Sequence, residues 1–332
     1  MLPILLALLP RPGAVQEAPA VPQPQTRLEY HHSALVDLWC LVRARVAGGG
    51  EAPALEGLAE AVAAARELEQ SVGLPPAWGL LEGNLVACAD AAALVKAFEA
   101  LPEKLERPPA PARPLRAPAL KLAQALQSVE GAFQEQLWPQ RRQALEAALA
   151  SLQAGLGAHA AQCFADVTAA FGMRDPGTPI PVYLVTEEPP PGAHTIRTRG
   201  GTASFVSIHK VEGSLLAEMV LHEAIHALDS ATGDQDTVLV DLRGRLEQAG
   251  VLPNSPVMRD LPHILMFAQA ADTIRRVLDP AHRPYAEVSG VYERIGPRSQ
   301  AVVDAWGAHR EGKINRDEAL DRIVAQAGAG GG

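Results

Sequence analysis

The chain has 332 residues, 48 % hydrophobic and 20 % charged, enough for one large domain or two ordinary ones around a stable core. Its formal net charge of −9 and its scattered arginines exclude a basic nucleic-acid-binding face, whose affinity rests on Lys and Arg against phosphates. Aromatics are only 4 % while Ala, Leu and Pro abound, a balance that favours helices over strands.

The opening MLPILLALLPRPGAV is apolar from Leu2 to Leu9, too short to span a bilayer, and is followed by Pro10 and Pro12. It reads as the apolar region of a signal peptide over residues 1–18, cleaved after Ala14 or Ala18, which predicts an exported protein, periplasmic or secreted. No Lys or Arg precedes the run, so a Pro-rich disordered start is the alternative. No later segment is long and apolar enough to be a membrane anchor. Cys40, Cys88 and Cys163 lack the spacing of a zinc knuckle or redox pair and read as buried thiols, with a Cys40–Cys88 disulfide as the alternative after export.

Residues 17–25 are Pro-rich and extended. Leu35, Leu38, Trp39 and Val42 predict a helix from about Leu28 to Val46, stopped by Gly48 to Gly50. Further helices are predicted from Leu55 to Leu68 and from Leu85 to Leu101. The prolines of 102–120 forbid a continuous helix and predict a linker or long excursion near 102–118, closing a helical N-terminal region of 19–118. Helical spacing returns from Leu120 to Leu156, with Pro139 as a break point. Near residue 175 the composition changes. IPVYLVTEE (180–188) and GTASFVSIHK (201–210) read as strands, with Gly200 and Gly201 as the turn before the second. Ser214 is a good N-cap for an unbroken helix from Leu215 to Leu228. Helices follow from Thr237 to Gln248 and from Leu261 to Leu278, the latter ended by Pro280, and residues 327–332 form a flexible tail. The predicted class is α+β, predominantly helical with a small sheet, the chemistry lying in residues 119–326.

That chemistry is concentrated in MVLHEAIHALD (219–229). Residues four apart share a helix face, so His222 and His226 can direct their rings at one metal. Glu223 lies about a hundred degrees round the helix, beside the open coordination position. Neutral imidazoles suit zinc, and a catalytic zinc keeps three protein ligands and one water, whose pKa it lowers from 15.7 to near 7. Glu223 then serves as general base, taking the water's proton as it attacks a carbonyl and passing it to the leaving amine. The flanks of the motif are all apolar, and two histidines and a carboxylate are costly to bury there without a purpose.

On His222-Glu223-Ala224-Ile225-His226, and on the order of strand, edge strand and active helix, residues 178–295 resemble the zincin metallopeptidases. The resemblance implies a zincin-like C-terminal domain, one zinc ion, and peptide hydrolysis. It also implies an edge strand that pairs with an extended peptide through main-chain hydrogen bonds, here SFVSI (204–208). No histidine follows the motif until His263, so the metzincin pattern is absent, as is an NExxSD-like stretch.

The third ligand has two candidates. His263 leads a helix whose Phe267, Ala270, Ala271 and Ile274 share its side, and HILMFAQAADTIRRVL looks like a downstream segment of some bacterial zincin-like proteins; a core histidine bonded to a carbonyl is the bland alternative. Glu287 in RPYAEVSGVYERI makes the site gluzincin-like instead, unless it is a solvated charge. Asp229 shares the histidine face and either orients an imidazole or ends the helix. Asp272 is expected to pair with Arg275 or Arg276. Tyr285 is the candidate catalytic donor to the developing oxyanion, with His282 and Arg283 as others; surface or packing roles compete for all three. His31, His32, His194 and His209 read as surface histidines. The expected protein is a zinc metallopeptidase acting on a peptide or protein substrate. The rivals are a helical scaffold with a metal-stabilised domain, and an amidase on a non-peptide substrate.

Overall fold

A computed structural model describes residues 27–48, 53–72, 75–107, 110–175, 177–190, 192–232 and 236–327. The expected signal peptide at 1–18 and residues 328–332 of the expected tail lie outside these. The chain begins with β1 (Leu28–His31), α1 (Ala34–Val46), α2 (Leu58–Val72), α3 (Pro75–Leu85) and α4 (Ala91–Glu99). Ser33 and Asp90 cap α1 and α4 by accepting the amides of Val36 and Ala93. A hairpin of β2 (Lys104–Arg107) and β3 (Ala110–Pro114) leads to α5 (Arg116–Gln136) and α6 (Trp138–Leu152). Pro139 sits in the first turn of α6, where a missing N–H breaks no helical bond. A π-helical turn (Gln153–Gly157) continues into α7 (Ala158–Phe171), which Gly172 ends in the left-handed region at φ 65°.

Next come β4 (Ile180–Val185), β5 (Ala193–Thr198), β6 (Gly201–Ser207) and α8 (Gly213–Thr232). The remainder is α9 (Val238–Gln248), α10 (Pro256–Val277), α11 (Tyr285–Val288), α12 (Val291–Ile295), α13 (Arg298–Arg310) and α14 (Arg316–Ala325). The molecule is therefore predominantly helical with a small mixed sheet. Among the described residues no helix is long and apolar enough to cross a membrane.

The four-stranded sheet has the order β1-β4-β6-β5, parallel except for β5, which runs antiparallel to β6. Alternate side chains leave on opposite faces, and both faces are covered. Val182, Leu184 and Val206 join a core with α7 to α10 and α13. Val185, Ile196, Ala203 and Phe205 join a second core with α1, α2, α4 and α5. The sheet is thus a shared wall between two helical layers.

Several elements depart from expectation. Leu28 to His31 is a strand paired with Ile180 to Tyr183, not the start of a helix. The proline-rich stretch forms a hairpin rather than a linker, since both of its strands are edges where a missing N–H is tolerated. Helix α5 packs on α2 and α4, so the second core continues past residue 118 to Phe133. SFVSI is not the edge: β6 lies between β4 and β5, and the edge strand is β5, AHTIRT. Helix α10 starts at Pro256 behind the cap Ser255, so His263 lies within it. Ser214 donates its hydroxyl to Asp279 instead of capping α8. All three cysteines are free; Cys40 and Cys163 are buried and Cys88 half-buried.

Candidate metal centre

Helix α8 presents His222 and His226 one turn apart, and α10 crosses it to bring in His263. His222 Nε2 lies 3.0 Å from His263 Nε2 and 3.2 Å from His226 Nε2. The donor atoms of all three residues lie within 4.8 Å of one another. Three nitrogens at 2.0–2.1 Å from a tetrahedral zinc are separated by roughly 3.3 Å. The Phe267 ring, one turn along α10, stacks on His222 with centroids 3.8 Å apart and an interplanar angle of 15°, which fixes the ring.

The donor chemistry fits a metal. His222 Nε2 faces both other imidazoles, and one ring nitrogen cannot donate to one and accept from the other. Its Nδ1 is buried without a hydrogen-bond partner. A cation at the three Nε2 atoms would resolve the conflict of donor and acceptor there, taking a lone pair from each ring. Burial, with help from His226 and His263, pushes His222 well below the ordinary histidine range. Burial takes His226 down to about 3, assisted by His263 and Arg243. Burial also takes His263 to about 4, against the pull of Asp260. All three rings are neutral at pH 7, the form that donates a lone pair.

Glu223 is buried beside this trio, 4 % exposed. Its Oε2 accepts the hydroxyl of Thr195 at 2.7 Å, and Thr195 lies 2.9 Å from Ser204 Oγ across the β5–β6 pair. Burial raises its carboxyl to about 7; the Thr195 hydrogen bond and His194 oppose the rise. A cation at the imidazoles would favour the carboxylate further.

A cleft of about 480 Å³ opens over these groups. One side is β5, through Ala193, His194 and Thr195; the other is α10, through Met258, Arg259, Pro262, His263, Met266 and Phe267. The Ser207 amide donates to Gly192 O at 2.9 Å, so the alternation of the antiparallel ladder turns the backbone groups of Ala193, Thr195 and Arg197 away from β6. At Arg197 helix α3 closes in: a Cβ placed on Gly83 would lie 3.7 Å from Arg197 O. The open pairing edge is therefore Ala193 to Thr195.

The other expected residues separate clearly. Tyr285 lines the cleft, with its ring 6.4 Å from that of Phe267. Its amide donates to Glu218 Oε2 at 2.6 Å. Glu218 sits one turn before His222 and also takes His282 Nε2 at 2.6 Å. His282 is buried, bridging Glu218 and Ser214 away from the cleft. Arg283 and Glu287 form an exposed pair at 2.9 Å, so Glu287 does not join the imidazoles. Asp229 orients no imidazole; it grips Arg243 at 3.2 and 2.6 Å. Asp272 pairs with Arg276, and with Arg310 as well. His31 stacks on Tyr183, His32 lies against Trp138, and His209 is exposed.

His194 is the residue sequence reasoning misjudged. It stacks on Phe205 at 4.8 Å and 5°, with Nε2 2.9 Å from Glu82 and Nδ1 3.2 Å from Glu188. Arg43 binds both glutamates, and Trp39 Nε1 donates to Glu82. Burial alone would depress His194, but Glu82 and Glu188 outweigh it and raise the ring to about 10. Burial would likewise raise Glu82, but His194 and Arg43 hold it at about 2. The imidazolium thus bonds a carboxylate at each nitrogen and ties the edge strand to α1 and α3. No local spacing announces it, because its partners are 112 and 6 residues away by number. No family model matches this chain, and neither a curated protein nor a solved structure is similar to it, so the geometry alone carries the functional argument.

Proposed function

We propose that the protein is a zinc-dependent metallopeptidase of zincin-like architecture. His222, His226 and His263 would hold the ion, Glu223 is the general base, and the N-terminal signal directs export. The observation that carries the reading is the convergence of three neutral Nε2 atoms beside a buried carboxylate in an open cleft. When bound, zinc supplies Lewis acidity toward a carbonyl and acidifies the attacking water.

Thr195 holds Glu223 Oε2, which leaves Oε1 to take the water's proton and return it to the leaving amine. The open edge of β5 accepts an extended peptide at Ala193 to Thr195, a short stretch that draws on main-chain groups and tolerates varied side chains. Tyr285, positioned through Glu218, is the donor assigned to the oxyanion.

The test compares metal content and turnover. The wild-type protein should bind one zinc and cleave members of a broad peptide library read by mass spectrometry. Glu223→Gln should keep the zinc and lose about 10²–10⁴-fold in rate. One-zinc protein that cleaves no member, or a Glu223→Gln variant of undiminished rate, contradicts the assignment.

A further inference from the structure

The cleft inverts the charge of the molecule around it. The chain carries 38 acidic against 29 basic side chains, yet among the described residues two arginines, Arg243 and Arg259, line the cleft with a single carboxylate, that of Glu223. Asp229 and Asp260, the carboxylates paired with the two arginines, do not line it.

Arg243 on α9 is the better built of the two. Asp229 takes one N–H from each of its terminal nitrogens, at 3.2 and 2.6 Å. A guanidinium has five N–H donors, so three remain. Asp229 is 14 % exposed while Arg243 is 37 % exposed, so the pair is anchored on the carboxylate side and open on the guanidinium side. Arg259 is 75 % exposed and held by a single contact with its sequence neighbour Asp260. Beside Arg243 the wall is apolar and pliable: Met258, Pro262, Met266 and Phe267, with Met219 across from them. Unbranched methionines reshape around apolar groups of different form.

We propose that this cleft selects peptides in which a carboxylate bound by Arg243 neighbours a bulky apolar side chain lodged among the methionines. The inference deepens the peptidase reading and rests on it for the word peptide. The carboxylate comes from an acidic side chain or from the peptide's own C-terminus; both present the planar oxygen pair that a guanidinium matches.

The experiment measures binding rather than turnover, using the full-length Glu223→Gln protein at low salt and isothermal titration calorimetry. Three blocked tetrapeptides with a central leucine serve as probes: one with glutamate and an amidated end, one with glutamine and a free C-terminus, and one with glutamine and an amidated end. At least one carboxylate-bearing probe should bind about tenfold or more tighter than the fully neutral one, and which of them does so identifies the source of the carboxylate. Arg243→Gln should abolish the preference, and Arg243→Lys, which keeps the charge without the fork, should retain part of it. Equal affinities for all three probes, no binding of either carboxylate probe, or a preference that survives Arg243→Gln overturns the proposal. The comparison among probes stands even if the arginine variants fail to fold. Because no probe is cleaved, a loss of zinc binding or turnover counts against the peptidase reading and leaves this result separate.

Discussion

Replacing His263 by alanine removes one of three convergent nitrogens and should weaken zinc binding at least ~100-fold, while Glu287→Ala, an exposed side chain paired with Arg283, should leave it unchanged. Titration of metal-free protein with zinc against a competing chelator measures both. His194 makes a different prediction, about stability. Its folded value of about 10 lies above its ordinary 6.5, so its contribution is full below pH 6.5 and disappears as pH rises toward 10. Glu82, lowered from 4.5 to about 2, contributes fully above pH 4.5 and loses its share as pH falls toward 2. Below pH 6.5 the three depressed imidazoles of the metal-free protein also lose stability, so its urea midpoint should be highest near pH 6.5 and fall toward pH 10. In His194→Asn the alkaline fall should shrink; an unchanged fall would show that the pair contributes nothing. These two groups mark what single residues reveal in a sequence. The histidine pair is legible because helical period converts a spacing of four into one face, and His263 because its helix is apolar on the same side. His194 is not, because its charge is set first by Glu82, which only the tertiary fold brings near.

Strand β5 shows the same division at the scale of elements. Ile196 is its one buried side chain, so AHTIRT offers no apolar run and no clean alternation, whereas the central strands β4 and β6 are apolar enough to stand out. The feature that hid β5 from the sequence, its polar and half-open character, is also what makes it the wall of a cleft. Strand β1 was obscured differently, by four residues of alternating burial abutting a strongly helical segment. The helices α8, α9 and α10 were legible from period and caps, although α10 extends back to a Ser-Pro start that the apolar pattern alone does not reach. The register of β5 yields a sharp test. Proline at Ala193 removes an amide that faces away from β6 and should leave unfolding free energy within about 1 kcal/mol, while raising KM for extended peptides. Proline at His194 removes a ladder amide and should destabilise the fold by about 1–3 kcal/mol from the unpaired Phe205 carbonyl alone. Urea denaturation of Ala193→Pro against wild type, and of His194→Pro against His194→Asn, which lacks the charged ring as well, decides it, with peptide kinetics on Ala193→Pro reading the KM; equal losses would contradict the register.

In the molecule as a whole, two helical layers share one sheet, and charged contacts join them. Asp37 on α1 is fully buried and accepts from Thr186 N at 2.7 Å and from Arg141 on α6. Asp37→Ala should cost about 3 kcal/mol, the low end for a broken buried pair because Arg141 keeps Glu187. Calorimetry should show one cooperative transition, and residues 119–326 expressed alone should not fold, since cutting there uncovers Phe205, Ile196 and Val185 and strips α5 of α2 and α4. Two separate transitions would refute the shared wall. A boundary between two regions looked natural in the sequence because prolines cluster at 102–118, but proline excludes helix without excluding a hairpin, and the contacts that bury the far sheet face are long in sequence. The centre itself is tested most directly by X-ray absorption at the zinc edge on protein loaded with one equivalent. Three imidazole nitrogens at about 2.0–2.1 Å with one light-atom ligand are expected, reduced by one nitrogen in His263→Ala; a zinc without imidazole scattering, or a spectrum indifferent to that substitution, would overturn the assignment of the three histidines.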